Sequence, residues 1–161
     1  MNENNKRVGP PTHEHARLLI RLHELIAEGN GDSDEADIVR DQMEPSWYSM
    51  NYLEQDRVGS LSGDLYELSE NGPKPLAMTA EERKAWGQEW KTAYEAGDWD
   101  KVLDLLRRPP LDVSRQDIFL LRGRAWEKLG DAEVAAVFMK EAERLGAASM
   151  VGADLAAAGA A

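Results

Sequence analysis

The chain has 161 residues, enough for one domain or two small ones, and its 42% hydrophobic and 30% charged residues suit a packed core in water. Its net charge of −11 opposes nonspecific attraction to nucleic acid or to an anionic membrane, and its lack of cysteine excludes disulfides, thiol catalysis and thiolate metal sites together. No apolar run approaches the length of a bilayer, and the opening MNENNKRVGPPTHEH lacks the apolar segment of a secretory signal, so a cytoplasmic location is expected.

The charge is uneven: residues 1–75 hold 7 basic and 15 acidic side chains, giving −8, and residues 76–161 hold 12 and 15, giving −3. Residues 1–11 are polar and end in Pro10-Pro11, which reads as a disordered lead. Thr12 is then placed to cap a first helix from about His13 to Glu28, with an apolar stripe of Ala16, Leu19, Leu22, Leu25 and Ile26. Gly29-Asn30-Gly31 ends it. Asp32 with Glu35 resembles a capping box and opens a second helix that should stop before Pro45. An apolar connection follows, carrying Trp47, Tyr48 and Met50.

A third helix is expected from about Tyr52 to Ser69, weakened by Gly59 and Gly63. Their spacing of four suggests close contact with another helix, or a break near Gly59. Residues 12–70 form an N-terminal helical module on this reading, and ENGPKPLAM, within which residues 71–78 lie, is the clearest linker. Thr79 and Glu82 make a capping box for a helix to about Ala96. Gly97-Asp98 turns the chain into a short helix that Pro109-Pro110 stops. Ser114 or Asp112 caps the next helix, Gly130-Asp131 makes a tight turn, and a last helix runs to Gly146. The alanine- and glycine-rich residues 147–161 read as a flexible tail.

Gly97-Asp98 and Gly130-Asp131 lie 33 residues apart, and each follows an aromatic helix, with Ala93-Tyr94-Glu95 before one and Ala125-Trp126-Glu127 before the other. A period of this size marks stacked helical hairpins. Over residues 79–146 the chain resembles tetratricopeptide repeats. In the second unit Gly123, Ala135 and Ala142 stand on the family's small positions, Trp126 on an aromatic one and Gly130 on the turn glycine, while Ala147 replaces the expected proline. The first unit is degenerate, since Trp90 and Val102 stand where small residues belong. In the N-terminal half, GDSDEADIVRDQMEPSW followed by LSGDLYEL is similar to a short helical module of uncharacterised bacterial proteins, and no activity comes with that likeness.

The motifs nominate no catalytic residue. His13, His15 and His23 cluster near the first helix, but HEHAR and HELIA both fail HExxH, and the spacing of eight between His15 and His23 is too long for one ion. They read as solvent-facing positions. Asp32, Asp34 and Asp37 fail the calcium-loop pattern at Ala36 and Met43 and read as a helix start enriched in acid. The tryptophans Trp86, Trp90, Trp99 and Trp126 read as stacking between helices, with one or two available to a groove.

The expected fold is therefore all-α, about seven helices in antiparallel hairpins, with a tetratricopeptide-like C-terminal half. The expected function is non-catalytic binding of a protein or peptide partner, without cofactor, metal, nucleic acid or membrane. The resemblance implies a concave groove lined by Lys84, Lys91 and Tyr94 from the first unit and by Leu120, Arg124 and Glu127 from the second. Lys91 and Arg124 would pair with carboxylates of an acidic peptide, with Tyr94 on its apolar part. Two repeats need capping, either by the N-terminal helices or by a second copy that makes a homodimer. The alternative from another class is a small metal-dependent enzyme using His15, His23 and nearby acids.

Overall fold

The computed structural model of the chain describes residues 7–70 and 72–146. Among these residues the fold is all-α: seven helices and no strand, only an isolated bridge between Leu76 and Pro110. The residues fall into two compact units, dividing after Glu70.

The first unit holds α1 (Pro10–Ala27), α2 (Asp34–Ser49) and α3 (Tyr52–Ser69), with α1 packed on both others. Leu25 of α1 is buried with Ala36 and Val39 of α2, and Leu18, Leu22 and Met43 close around them. Val58, Leu61 and Leu65 form the buried side of α3. Three local expectations are corrected here. α1 begins at Pro10, inside the stretch read as disordered, because proline at the first positions of a helix forfeits no hydrogen bond that the helix would use. Thr12 is consequently an internal, buried residue, and its hydroxyl has no hydrogen-bond partner among the described residues. Ser33 caps α2 in place of Asp32, accepting from the Ala36 amide at 3.2 Å while its own hydroxyl donates to the Asn30 carbonyl at 2.7 Å.

The third correction concerns Pro45, which does not stop α2; the helix runs on to Ser49. The missing N–H deprives a carbonyl one turn earlier of its donor, but Pro45 and its neighbours Asp41 and Glu44 are exposed, so water can serve. α3 is likewise unbroken through Gly59 and Gly63, and neither glycine marks a close contact: an added Cβ would meet nothing within 4 Å at either. A capping box between Asn51 and Glu54 starts this helix.

The second unit holds α4 (Ala80–Ala96), α5 (Trp99–Leu106), α6 (Arg115–Leu129) and α7 (Ala132–Arg144), in which α5 packs on α4 and on α6, and α6 on α7. Thr79 caps α4 in a capping box with Glu82, and Ser114 caps α6. The two hairpin turns repeat each other bond for bond. Gly97 and Gly130 both adopt the left-handed conformation, at φ 67° and 92°. The Asp98 amide donates to the Ala93 carbonyl at 2.9 Å as the Asp131 amide does to Trp126 at 3.0 Å. Asp98 and Asp131 then cap α5 and α7 through the amides of Lys101 and Val134. The repeat seen in sequence is thus a repeat of turn geometry.

The segment expected to link the halves belongs to this second unit. Gly72 and Pro73 are buried, an added Cβ on Gly72 would lie 3.6 Å from the Phe119 ring, and the Leu76 amide donates to the Pro109 carbonyl at 2.8 Å. Residues 1–6 and the expected C-terminal tail at 147–161 lie outside the described residues.

Candidate functional site

The aromatic residues of α4 build a continuous ladder because they recur every fourth position on one helix face. Trp86 and Trp90 stack at 5.4 Å with their planes 9° apart, Trp90 and Tyr94 at 5.8 Å, and Tyr94 meets Trp99 of α5 edge to face at 5.5 Å. At the other end the Arg83 guanidinium lies 5.2 Å over Trp86 and grips Asp112 with two hydrogen bonds, of 2.9 and 3.0 Å. The Trp86 indole N–H donates to the Leu105 carbonyl at 3.3 Å, which ties the ladder to α5. Trp86, Trp90 and Trp126 are buried, so these three serve packing; Tyr94 and Trp99 are half-buried and end the ladder at the surface.

The bulk of Trp90, where the repeat pattern wants a small residue, is absorbed by this stacking. In the second hairpin the small residue is present and necessary: an added Cβ on Gly123 would lie 2.8 Å from Met139 Cγ. Deeper in this hairpin Arg122 is fully buried, with its guanidinium 5.8 and 5.9 Å from the rings of Phe119 and Phe138. Sequence reading missed it, since a charge at that spacing looks like an ordinary surface position.

α6 is buried on almost every side. Its uncovered residues after the first turn are Leu120 and Arg124, both half-buried, then Glu127 and Lys128, both exposed. Spaced by three and four, they form one narrow stripe. Leu120, Arg124 and Glu127 therefore stand on the accessible strip of this helix, Lys84 and Lys91 are exposed on α4, and Tyr94 is partly covered by Trp90 and Trp99. Neither Lys91 nor Arg124 has a carboxylate partner among the described residues, whereas Lys101 pairs with Glu89 and Asp104, and Arg108 with Asp104. α5 packs on both α4 and α6.

A second feature of this unit escaped the sequence reading. An open cleft of about 500 Å³ runs between α4 and α5, lined by Ala85, Gln88, Glu89, Thr92, Ala96 and Lys101. The small residues Ala85, Thr92 and Ala96, at spacings of seven and four, were the available signal.

In the first unit the histidines are the correction. His15 is buried, not solvent-facing, and its Nδ1–H is placed to donate to the Met43 carbonyl at 3.2 Å and the Ser46 hydroxyl oxygen at 3.0 Å, both on α2. His23 is half-buried, with Nε2 3.3 Å from the Ser62 hydroxyl and its ring 4.3 Å from Tyr66, both on α3. Burial pushes both imidazoles below the ordinary histidine value, against a smaller opposing pull on His15 from the Met43 carbonyl. The two rings thus serve different helix contacts and do not converge. Among the described residues no group of three or more His, Cys, Asp and Glu side chains is placed to hold a metal ion, and no helix is long and apolar enough to cross a membrane.

No model of a known family matches the chain, and no curated protein or solved structure is similar to it.

Proposed function

We propose that the second unit is a non-catalytic protein-interaction module, built on tetratricopeptide-like hairpins, that takes an acidic peptide segment of a partner protein. The observation that carries this reading is the narrow stripe on α6. A helix buried on almost every other side offers Leu120, Arg124 and Glu127 to solvent, and Arg124 has no carboxylate partner among the described residues of a chain of net charge −11. Lys84 and Lys91 supply further charge from α4, and the Tyr94–Trp99 edge supplies an apolar contact of the kind that anchors interfaces. The repeated turn geometry supports the tetratricopeptide-like reading, in which the first helices of successive hairpins line one groove.

The test is selection of binders from a displayed random peptide library on the intact chain, followed by binding to a Lys91→Glu, Arg124→Glu variant. The reading expects acidic peptides whose affinity falls at least about tenfold in the variant, equivalent to about 1.4 kcal/mol. Helical content should be unchanged, since both side chains lie outside the core. Binders without acidic character, or acidic binders indifferent to the double reversal, would remove the groove assignment.

A further inference from the structure

The open cleft between α4 and α5 has a counterpart one repeat further on, where it is filled. Ala85, Gln88, Glu89, Thr92 and Ala96 line it, and all five are exposed. Advanced by the 33 residues that separate the two hairpin turns, they become Ile118, Leu121, Arg122, Ala125 and Leu129 of α6, and all five of these are buried. The two sets therefore occupy the same flank of equivalent helices. At 100° per residue, Phe119 and Gly123 lie about 120° round α6 from that flank. They face the second helix of their own hairpin, since Phe119 stacks with Phe138 and an added Cβ on Gly123 would meet Met139. α6 packs otherwise on α5, so α5 is what covers the flank. α4 repeats only half of this arrangement: Trp86, the counterpart of Phe119, bonds to Leu105 of α5, and the flank beside it is left open.

A flank of this register seats a helix on α6, and the residues on α4 say which kind of helix fits there. Where α6 offers Ile118, Leu121 and Leu129, α4 offers Ala85, Gln88 and Ala96, which leaves a volume of about 500 Å³ unfilled. The bulk must come from the visitor, as large apolar side chains at three-and-four spacing. Its charge follows from the rim. Glu81 and Glu82 lie one turn before Ala85 on the same side, Glu89 and Asp98 line the cleft itself, and all four carboxylates are exposed. Lys101, the cation that lines the cleft, is engaged by Glu89 at 3.3 Å. Lys84 and Lys91 project roughly 100° or more away from the line of Ala85 and Ala96. We infer that the cleft between α4 and α5 docks a basic amphipathic helix of a partner protein, its apolar side chains over Ala85, Thr92 and Ala96 and its cations facing Glu81 and Glu89. The site is separate from the stripe proposed to take an acidic peptide, and the two recognise opposite charge. A second copy of the chain is the poorer occupant: α7, the counterpart of α5, exposes Ala132 and Ala136 where α5 has Trp99 and Leu103, and so brings no bulk to fill the cleft.

Fluorescence anisotropy tests this on the intact chain with three labelled peptides of about 18 residues, long enough to wind into helix alone. One carries leucine at three-and-four spacing with lysine elsewhere. The second replaces lysine by glutamate, and the third shuffles the first so that no apolar face forms. The first peptide should bind, and the other two at least about tenfold more weakly. An Ala85→Gln, Ala96→Gln variant, which fills the cleft without changing its charge, should bind the first peptide at least about tenfold more weakly. Its helical signal should be retained, because both positions are exposed and glutamine is a good helix former. The Lys91→Glu, Arg124→Glu variant should bind that peptide no more weakly than wild type, which separates this site from the acidic-peptide stripe. Failure of the leucine–lysine peptide to bind, equal binding of its shuffled form, a glutamine variant that binds it undiminished, or weaker binding by the Lys91→Glu, Arg124→Glu variant would each overturn the proposal. So would sedimentation equilibrium in which the chain self-associates and the glutamine variant does not, since a second copy would then be the occupant.

Discussion

Two glycines in helix interiors, Gly59 of α3 and Gly123 of α6, make a matched experiment because the same substitution should act with opposite sign. In both, alanine favours the helix over glycine by about 0.8–1 kcal/mol. At Gly59 the added methyl meets nothing within 4 Å, so the gain should stand nearly whole. At Gly123 it would lie 2.8 and 3.0 Å from Met139 Cγ and Sδ, and 3.2 Å from the Ala135 carbonyl oxygen. The methionine chain can swing aside, but the carbonyl belongs to the backbone of α7 and cannot move without it. Overpacking of this kind costs about 1–3 kcal/mol, so the net expectation for Gly123→Ala is a loss of roughly 0–2 kcal/mol after the helix gain, toward the upper end because the Ala135 carbonyl is backbone. For a unit of this size one kcal/mol moves the melting temperature by about 4–8 °C. Thermal unfolding followed by circular dichroism should show Gly59→Ala melting higher than wild type and Gly123→Ala lower. In a Met139→Ala background the loss at Gly123 should shrink without vanishing, because the carbonyl contact remains. If Gly123→Ala were instead stabilising, the close approach of α6 and α7 would not be what requires glycine there.

The buried histidines predict a pH response confined to the first unit. Burial holds His15 and His23 below the ordinary value of 6.5, so the unfolded chain binds protons more readily than the folded one. Their cost to stability is absent well above pH 6.5 and grows as the pH falls through 6.5 toward the folded-state values. A His15→Gln, His23→Gln variant should therefore show a shallower fall in melting temperature across that window, and an unchanged slope would refute the assignment. In the second unit Asp112→Ala should cost about 1.5–3 kcal/mol, since it removes two charge-assisted hydrogen bonds from Arg83, whose side chain is only 10% exposed. Asp104→Ala, whose pairs with Arg108 and Lys101 are exposed, should cost no more than about 0.5 kcal/mol, and chemical denaturation of both variants would check the contrast.

Where local chemistry decides structure, the fold was legible in the sequence. Thr79 with Glu82, the left-handed glycines 97 and 130, and the proline pair at 109–110 set helix ends through hydrogen bonds made within a few residues. Errors fell where distant packing decides. Pro45 sits inside α2 because a helix held by its buried face tolerates one missing bond on its exposed face. His15 looked polar by spacing, yet α2 supplies acceptors 28 and 31 residues away in sequence. Leu120, Arg124 and Glu127 lie on the accessible strip of α6, opposite the buried Ile118, Leu121, Ala125 and Leu129, and that helical period is legible in the sequence. The cleft between α4 and α5 was not legible, since a void between two helices depends on side-chain sizes from both.

The aromatic ladder also fixes how the molecule handles light. Four of the five tryptophans lie in the second unit, and the Trp86–Trp90–Tyr94–Trp99 series places each ring within 6 Å of the next. Excitation absorbed by Tyr94 passes to the flanking indoles, and Trp90, sealed from water, emits toward the blue. Prying α4 from α5 exposes those indoles and sends the emission red while every helix is still wound. The share of the intrinsic fluorescence that comes from Trp86, Trp90 and Trp99 should thus report on the seam between α4 and α5, and peptide-bond dichroism is the separate gauge of the helices themselves.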